Sequence, residues 1–254
     1  MKIVRFLNGK KAAYGLWEGE TVRGCTGTPY TRLKPTGQEY RMSELKLLAP
    51  CAPSKIVALG LNYRSHGAEL KMTMPSEPLI FLKPSTSVIG PEDAIIYPPS
   101  SRQVDYEGEL GVVIGRLARR VSRAEAPKYI LGYTCLNDVT ARDLQSRDKQ
   151  WTRAKSFDTF APIGPCIETE LDPSHLALET RLNGALKQKT NTRDLIFPVP
   201  ELVSFISHVM TLLPGDVIAT GTPSGIGPMQ PGDTIEVTIE KIGTLRNYVA
   251  GANP

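Results

Sequence analysis

Cysteine is scarce: the 254-residue chain has four. Cys25, Cys51, Cys135 and Cys166 are too widely spaced to form a C-x-x-C pair. That argues against a zinc knuckle and for a reducing compartment. No apolar run approaches the length of a membrane span. The opening stretch, Met1-Lys2-Ile3-Val4-Arg5-Phe6-Leu7-Asn8-Gly9, lacks the apolar centre of a signal peptide. The expected location is the cytoplasm, with no membrane partner. Charge of one sign is not concentrated either. The net charge is +4, with no polybasic block and no interleaving of basic and aromatic residues. Arg116, Arg119, Arg120 and Arg123 would share a face only on a helix. Ser122-x-x-Glu125 reads as a capping box that starts a helix at 122, which leaves the arginines on a solvated connection. Nucleic acid is therefore not an expected partner. Internal repeats and low-complexity tracts are missing. So is a β-α-β alternation, which disfavours a doubly wound fold.

A hydrophobic content of 41% and a charged content of 22% are ordinary for a globular protein. The length suits one large domain, or one domain with a small appendage. Ile3 to Leu7, Asn8-Gly9 and Ala12 to Trp17 predict a hairpin with an Asn-Gly turn. Pro50-Cys51-Ala52-Pro53 opposes helix and sheet alike and marks a boundary. The expected division is a small N-terminal β domain over 1–50 and a catalytic domain over 51–254. Short strands are expected at Ile56–Leu59, Leu79–Leu82, Leu110–Ile114, Tyr133–Leu136, Val217–Ala219 and Thr234–Ile239. Asn183-Gly184 marks a second hairpin. Leu202, Phe205, Ile206, Val209 and Leu213 recur at helical spacing and predict a helix over 200–213. The expected class is α+β, β-rich.

Chemistry concentrates in Val104-Asp105-Tyr106-Glu107-Gly108-Glu109-Leu110-Gly111-Val112-Val113-Ile114. On a strand, Glu107 and Glu109 point to the same face, about 7 Å apart. They repel unless something positive lies between them. A hard divalent cation meets that need, because Mg²⁺ takes one or two carboxylates and leaves positions for other oxygens. Asp105 has the same parity and could extend the acidic face. A lone Glu-x-Glu is also ordinary where a strand runs out into water. A second acid shifts the balance. Asp138 follows the strand-like run Ile130–Leu136, where it could add a third oxygen ligand or serve as a helix N-cap. Arg142 and Gln145 lie four and seven residues further on, one face of a helix. An acidic triad beside an Arg and a Gln suits a metal-bound, negatively charged small molecule.

His66 and Glu69 are spaced i, i+3 and would meet on one helical turn. A carboxylate that holds an imidazole raises its basicity, as in a general base for water, although such a pair is also common on surfaces. Leu70 to Pro78 is polar, Met-rich and interrupted by proline, a composition suited to a loop that closes over a site. Gly221 to Gly227 could offer backbone N–H groups and the Thr222 hydroxyl to an anion. It lacks the Lys-Ser/Thr end of a phosphate loop, and as a plain turn between strands it is structurally adequate.

Six segments, in order from about residue 53 to 245, resemble the fumarylacetoacetate hydrolase family. They are Gly60-Leu-Asn-Tyr-x-x-His66-x-x-Glu69, Phe81-Leu-Lys-Pro84-Ser, Asp105-Tyr-Glu107-x-Glu109-Leu, Asn137-Asp138-Val-Thr-Ala-Arg142-Asp-Leu-Gln145, Ala154-Lys155-Ser-Phe-Asp-Thr-Phe, and Gly221-Thr222-Pro-Ser-Gly225-x-Gly227. The resemblance is to the smaller branch of acylpyruvases and 2-hydroxyhepta-2,4-diene-1,7-dioate isomerases. It implies mixed β-sheets rolled around the active site, usually in a homodimer. It implies Mg²⁺ or Mn²⁺ held by Glu107, Glu109 and Asp138, and carboxylate sites of this kind also accept Ca²⁺. Lys155 matches the family's active-site lysine, and Thr222 matches a residue that contacts the substrate carboxylate. With the metal as Lewis acid for an enolate, Lys155 and Arg142 would add positive charge and Gln145 a neutral hydrogen bond. The leading expectation is a Mg²⁺-dependent hydrolase that cleaves the C–C bond of acylpyruvate-type β-diketo acids, with water activated by His66 and Glu69. The alternative is an oxaloacetate decarboxylase, or an isomerase (tautomerase) of 2-hydroxydienoates or oxaloacetate. From a different class, a non-catalytic metal- or ligand-binding protein would carry the same acids.

Overall fold

A computed structural model of the chain describes residues 1–69 and 73–252. The loop expected over 70–78 therefore falls partly, at 70–72, outside the described residues. Strands β1 (Lys2–Asn8), β2 (Lys11–Glu18), β3 (Thr21–Thr26) and β4 (Lys34–Arg41) form a meander, followed by the short β5 (Leu47–Leu48). Next come β6 (Lys55–Leu59), helix α1 (Arg64–Glu69), β7 (Ile80–Pro84), β8 (Val88–Ile89), β9 (Ala94–Tyr97), β10 (Val104–Tyr106) and β11 (Gly108–Ile114). The middle holds β12 (Ile130–Asn137), β13 (Thr140–Ala141), α2 (Arg142–Asp148), α3 (Thr152–Lys155), β14 (Ala161–Glu168), β15 (Ala177–Leu182) and β16 (Ala185–Asn191). The chain ends with α4 (Val199–Val209), β17 (Val217–Ala219), β18 (Gly227–Met229), β19 (Thr234–Ile239) and β20 (Gly243–Gly251).

Period-two patterning builds these strands. In β19, Ile235, Val237 and Ile239 are buried while the residues between them are partly exposed. Among the described residues the strands form three sheets, with the large one in the order β4-β3-β2-β1-β14-β12-β11-β17-β6-β7. A five-stranded sheet, β16-β15-β19-β20-β9, and a small one, β13-β10-β18, complete the β-rich α+β fold. The strands of residues 1–50 extend the large sheet by pairing β1 with β14. Central strand β11 is buried along its whole length. Its Leu110, Val112 and Ile114 pack in one cluster with Leu202, Val203 and Ile206 of α4, while Val113 joins a second cluster on the opposite face.

Three local expectations are corrected. The first hairpin turns at Gly9-Lys10, because Asn8 still pairs with Lys11 and Gly9 takes the positive φ of 60°. At the second hairpin both Asn183 and Gly184 have positive φ, as an Asn-Gly turn requires. Helix α4 stops at Val209 and does not reach Leu213. Leu212 instead exchanges two backbone hydrogen bonds with Ala118, both 2.9 Å, and that bridge holds the chain extended. No helix starts at Ser122. Ser122 does hydrogen-bond Glu125 at 3.3 Å, but the result is a turn leading into a 3₁₀ segment at Ala126–Tyr129. No helix among the described residues is long and apolar enough to cross a membrane. All four cysteines are free and buried.

The strand pair β6 and β17 carries the loops that reach the acidic segment. The two run parallel, Val217 beside Ile56 and Ala219 beside Ala58, so both end at the same rim. Their starts are tied together by Asp216, whose side chain is fully buried. It accepts hydrogen bonds from the Ser54 N–H (3.0 Å) and hydroxyl (2.7 Å), from the Lys55 ammonium (2.5 Å) and from the Leu213 N–H (2.8 Å). Burial alone would raise this carboxyl's pKa, but the donors, Lys55 foremost, hold it below the usual value. A depressed folded-state pKa stabilises the protein above the ordinary carboxylate range near pH 4, and that stability is lost as pH falls through the folded value. Asp216→Ala is expected to cost about 3 kcal/mol in urea unfolding at neutral pH. The difference from wild type should shrink on acidification below about pH 4.

Candidate active site

The acidic segment is not one strand. It breaks at Glu107, between β10 in the small sheet and β11 in the large one. Asn137 bridges the break: its side-chain oxygen accepts the Glu107 N–H at 2.9 Å, and the Glu107 carbonyl accepts the Asp138 N–H at 2.8 Å. With Gly108 paired to Asn137 in the β11–β12 ladder, Glu107 and Asp138 become neighbours at its end. Asp138 is therefore not a helix N-cap. β13 separates it from α2, which starts only at Arg142. Glu107, Glu109 and Asp138 are all buried, with one carboxylate oxygen from each lying within 4.8 Å of the others.

Three cationic side chains reach this cluster. Lys155, at the end of α3, donates to Glu107 Oε2 at 2.8 Å and Asp138 Oδ2 at 2.6 Å. Lys83, in β7, donates to Asp138 Oδ1 at 2.5 Å and the Val139 carbonyl at 3.1 Å. Arg142 forks between Asp105 Oδ2 at 2.8 Å, the Gln145 amide oxygen at 2.6 Å and Glu107 Oε1. Asp105 thus anchors the arginine and does not extend the metal-facing acids. Burial would raise the Glu107 carboxyl, but Lys155 and Arg142 pull it well below the usual range. Glu109 goes the other way. Burial, and then Asp138 and Glu107, push it well above the ordinary value. One of its oxygens accepts the Gly221 N–H at 2.7 Å, and the other, buried, has no partner among the described residues.

That orphan oxygen is a fit test for a cation. A set of three buried carboxylates with one oxygen unsatisfied is a hard-ligand set, suited to a divalent ion that takes oxygen donors. The residues present fit such an ion, and the ligands would be Glu107, Glu109 and Asp138. In front of them lies a pocket of about 230 Å³, lined by Gly60, His66, Glu107, Arg142, Gln145, Ser146, Trp151 and Lys155. His66 is buried, and its Nδ1 lies 3.1 Å from Glu69 Oε2. The sequence-predicted His66, Arg142, Gln145 and Lys155 therefore line one pocket together with Glu107. Larger recesses lie elsewhere, one of about 530 Å³ at Tyr133, Leu171, Leu195 and Val199, but among the described residues no buried carboxylate cluster faces them.

Thr222 is placed differently. Its hydroxyl donates to the Gly108 carbonyl at 3.0 Å and accepts from Gln188 Nε2 at 2.8 Å, behind the Glu107–Glu109 segment. Gln188 is a residue that local sequence patterns do not reveal. Fully buried on β16, it also accepts the Gly108 N–H at 2.9 Å and donates to the Pro223 carbonyl at 3.0 Å. Lys83 escapes sequence reasoning as well, although its segment carries part of the family resemblance. Its signal is parity: in β7 Lys83 is buried while its neighbour Leu82 is exposed, so the lysine occupies the inward face. Trp151 lines the pocket because Gly60 leaves room for it. A Cβ on Gly60 would stand 2.8 Å from the indole ring.

Because a cation competes with protons for Glu109, its binding should release protons and tighten as pH rises until that carboxyl is ionised. Titration of the wild-type chain with Mn²⁺ at several pH values, in buffers of different ionisation enthalpy, is expected to show proton release that diminishes as pH rises. An excess of about 100 Kd should stabilise the fold by about 2.7 kcal/mol. Glu109→Gln should abolish both effects. A Kd insensitive to pH and to Glu109→Gln would exclude this cluster as the ligand set.

Known proteins share much of this sequence and fold. The family described as Fumarylacetoacetate (FAA) hydrolase C-terminal matches residues 55–250, and the one described as Rv2993c-like, N-terminal matches residues 1–50. An uncharacterized protein of Archaeoglobus fulgidus is 61% identical over 211 residues, 83% of this chain and 84% of that protein. Oxaloacetate tautomerase YisK of Bacillus subtilis is 44% identical over 225 residues, 83% of this chain and 75% of the tautomerase. The crystal structure of 5-carboxymethyl-2-hydroxymuconate delta-isomerase from Mycobacterium smegmatis superposes with a TM-score of 0.94 at 44% identity, covering 99% of this chain and 100% of that one. With most of its length matched by sequence and by fold, the chain belongs to the fumarylacetoacetate hydrolase family.

Proposed function

We propose that the protein is a metal-dependent isomerase of small 2-oxo acids, interconverting keto and enol forms of an oxaloacetate-like or hydroxydienoate-like diacid. The observation that carries this reading is one pocket in which a carboxylate-bound imidazole shares the lining with Glu107 of the buried acidic cluster and with Arg142 and Lys155. Relatives named as a tautomerase and an isomerase support isomerisation over the C–C hydrolysis expected from sequence. At about 230 Å³ the pocket is smaller than the ~300 Å³ lower bound for drug-sized ligands, which suits a small acid.

A divalent cation held by Glu107, Glu109 and Asp138 would supply Lewis-acid stabilisation of negative charge on the keto oxygen. His66 takes a proton from the carbon beside the keto group, and Glu69 stabilises the imidazolium that results. The electron pair left on carbon moves into the new C=C bond, and the keto oxygen gains the negative charge. Returning the proton to that oxygen completes the enol and restores neutral His66, so atoms and charge balance. Arg142 and Lys155 face the pocket with positive charge and orient the substrate's carboxylates, while Gln145 adds a hydrogen bond. The bulky Trp151 closes one side against water.

The test follows the ultraviolet absorbance of the enol with oxaloacetate and, separately, pyruvate release from acetylpyruvate, each with Mg²⁺ and with chelator. Wild-type protein with Mg²⁺ is expected to accelerate ketonisation, and His66→Ala to lower that rate by about 10²–10⁴. Cleavage of acetylpyruvate, with tautomerisation no faster than in buffer, would overturn the reading in favour of a hydrolase.

A further inference from the structure

We infer that Tyr106 is a positioning residue that fixes Glu69, and through it His66, by way of Gly225. Strand alternation puts Asp105, which grips Arg142, on one face of β10 and Tyr106 on the reverse face. From there the buried Tyr106 hydroxyl donates to the Gly225 carbonyl at 3.1 Å. The N–H of the same glycine donates to Glu69 Oε1 at 3.0 Å, while Glu69 Oε2 meets His66 Nδ1 at 3.1 Å. One carboxylate is thus held between the glycine loop and the imidazole.

The loop is built around the tyrosine. Gly225 has φ +93°, where L side chains are strained, and a Cβ there would stand 2.3 Å from the Lys187 carbonyl oxygen. Gly227 pairs with Tyr106 across β10 and β18, and its own Cβ would lie 3.0 Å from the tyrosine hydroxyl. Gly227 is therefore where the ring needs it, and Gly225, pressed against Lys187 at a positive φ, has little freedom to turn away. Without a held carboxylate, Glu69 is a partly exposed side chain at the end of a six-residue helix, free to leave His66 for water. The short strand that leads into Glu107 and whose Asp105 grips Arg142 also sets, on its other side, the group that orients the base.

The kinetic part of this inference rests on the proposed role of His66 in moving a proton; the spectroscopic part does not. The chain has three histidines, His66, His175 and His208, so ring ¹⁵N–¹H spectra of the full-length protein can be assigned with His66→Gln. In Tyr106→Phe the His66 Nδ1–H signal is expected to move away from its carboxylate-bound position, while His175 and His208 stay fixed. The ketonisation kcat should fall roughly three- to tenfold, the effect of one lost neutral hydrogen bond, with KM changed by less. Read from the other end, Glu69→Ala should speed exchange of the Gly225 amide proton, a measurement that stands even if Tyr106→Phe does not fold. An unmoved His66 signal in a folded Tyr106→Phe, or unchanged Gly225 exchange in Glu69→Ala, would overturn the inference. If the wild type lacks tautomerase activity but the His66 signal still moves, the linkage holds and the proposed reaction is what fails.

Discussion

Carboxylates buried in a sheet must be neutralised, and the architecture around the site answers to that constraint. Asp105, Glu107, Glu109 and Asp138 are all buried, and three cationic side chains meet them, Lys83, Lys155 and Arg142. With every group ionised the cluster keeps one negative charge, and it falls where Glu109 has an oxygen without a partner. Isolated ions in such surroundings are costly. The same cost pushes the Glu109 carboxyl above its ordinary value, which favours its protonated form wherever no cation offsets the charge.

Meeting this constraint sets how the elements come together. Lys83 arrives on β7, Lys155 at the end of α3 and Arg142 at the start of α2, while Glu107 and Asp138 are brought side by side by the β11–β12 register. A slip of one residue in that register would send Glu109 to the opposite face of β11, among Leu110, Val112 and Ile114. Gly108, between the two glutamates, has no room for a side chain: a Cβ would lie 2.1 Å from Thr180 Oγ1. Gln188 then ties the Gly108 backbone to the loop at Thr222 and Pro223. Strands β15 and β16 of the five-stranded sheet, distant in sequence from the acids, are thereby part of their support.

Whatever rests on local periodicity or turn chemistry was legible in the sequence. The alternation in β19, the amphipathic run of α4 and the Asn183-Gly184 turn all follow from side chains within a few residues of one another. The acidic motif was legible because Glu-x-Glu in an apolar strand breaks the pattern around it, and His66–Glu69 because three residues span one helical turn. What escaped depends on partners far along the chain. Lys83 meets Asp138 55 residues away, and Gln188 meets Gly108 80 residues away. The inward parity of Lys83 in β7 does not say which acid it meets, and nothing near Gln188 marks it. The break at Glu107 was hidden for the same reason, since Asn137, 30 residues on, supplies the hydrogen bond that replaces the ladder. The end of α4 was misjudged because Leu213 fits the helical period, while the competing bridge to Ala118 is tertiary.

The two buried lysines on Asp138 look alike in sequence and are not equivalent in place. Lys83 does not line the pocket, and its ammonium is divided between a carboxylate and a backbone carbonyl. Burial, opposed chiefly by Asp138, lowers its pKa. Lys155 lines the pocket, bridges Asp138 and Glu107 and lies 5.1 Å from the Phe81 ring centroid. Burial works against its charge too, but the two acids outweigh it and raise its pKa. Of the two lysines, Lys155 alone lines the pocket where the proposed substrate would enter. Any cation that draws Glu107 and Asp138 toward itself weakens the Lys155 bridges and leaves its ammonium seeking a new anionic partner. In the proposed reaction Lys83 would stay behind the acids, away from the pocket, and Lys155 would be the positive group whose partner can change.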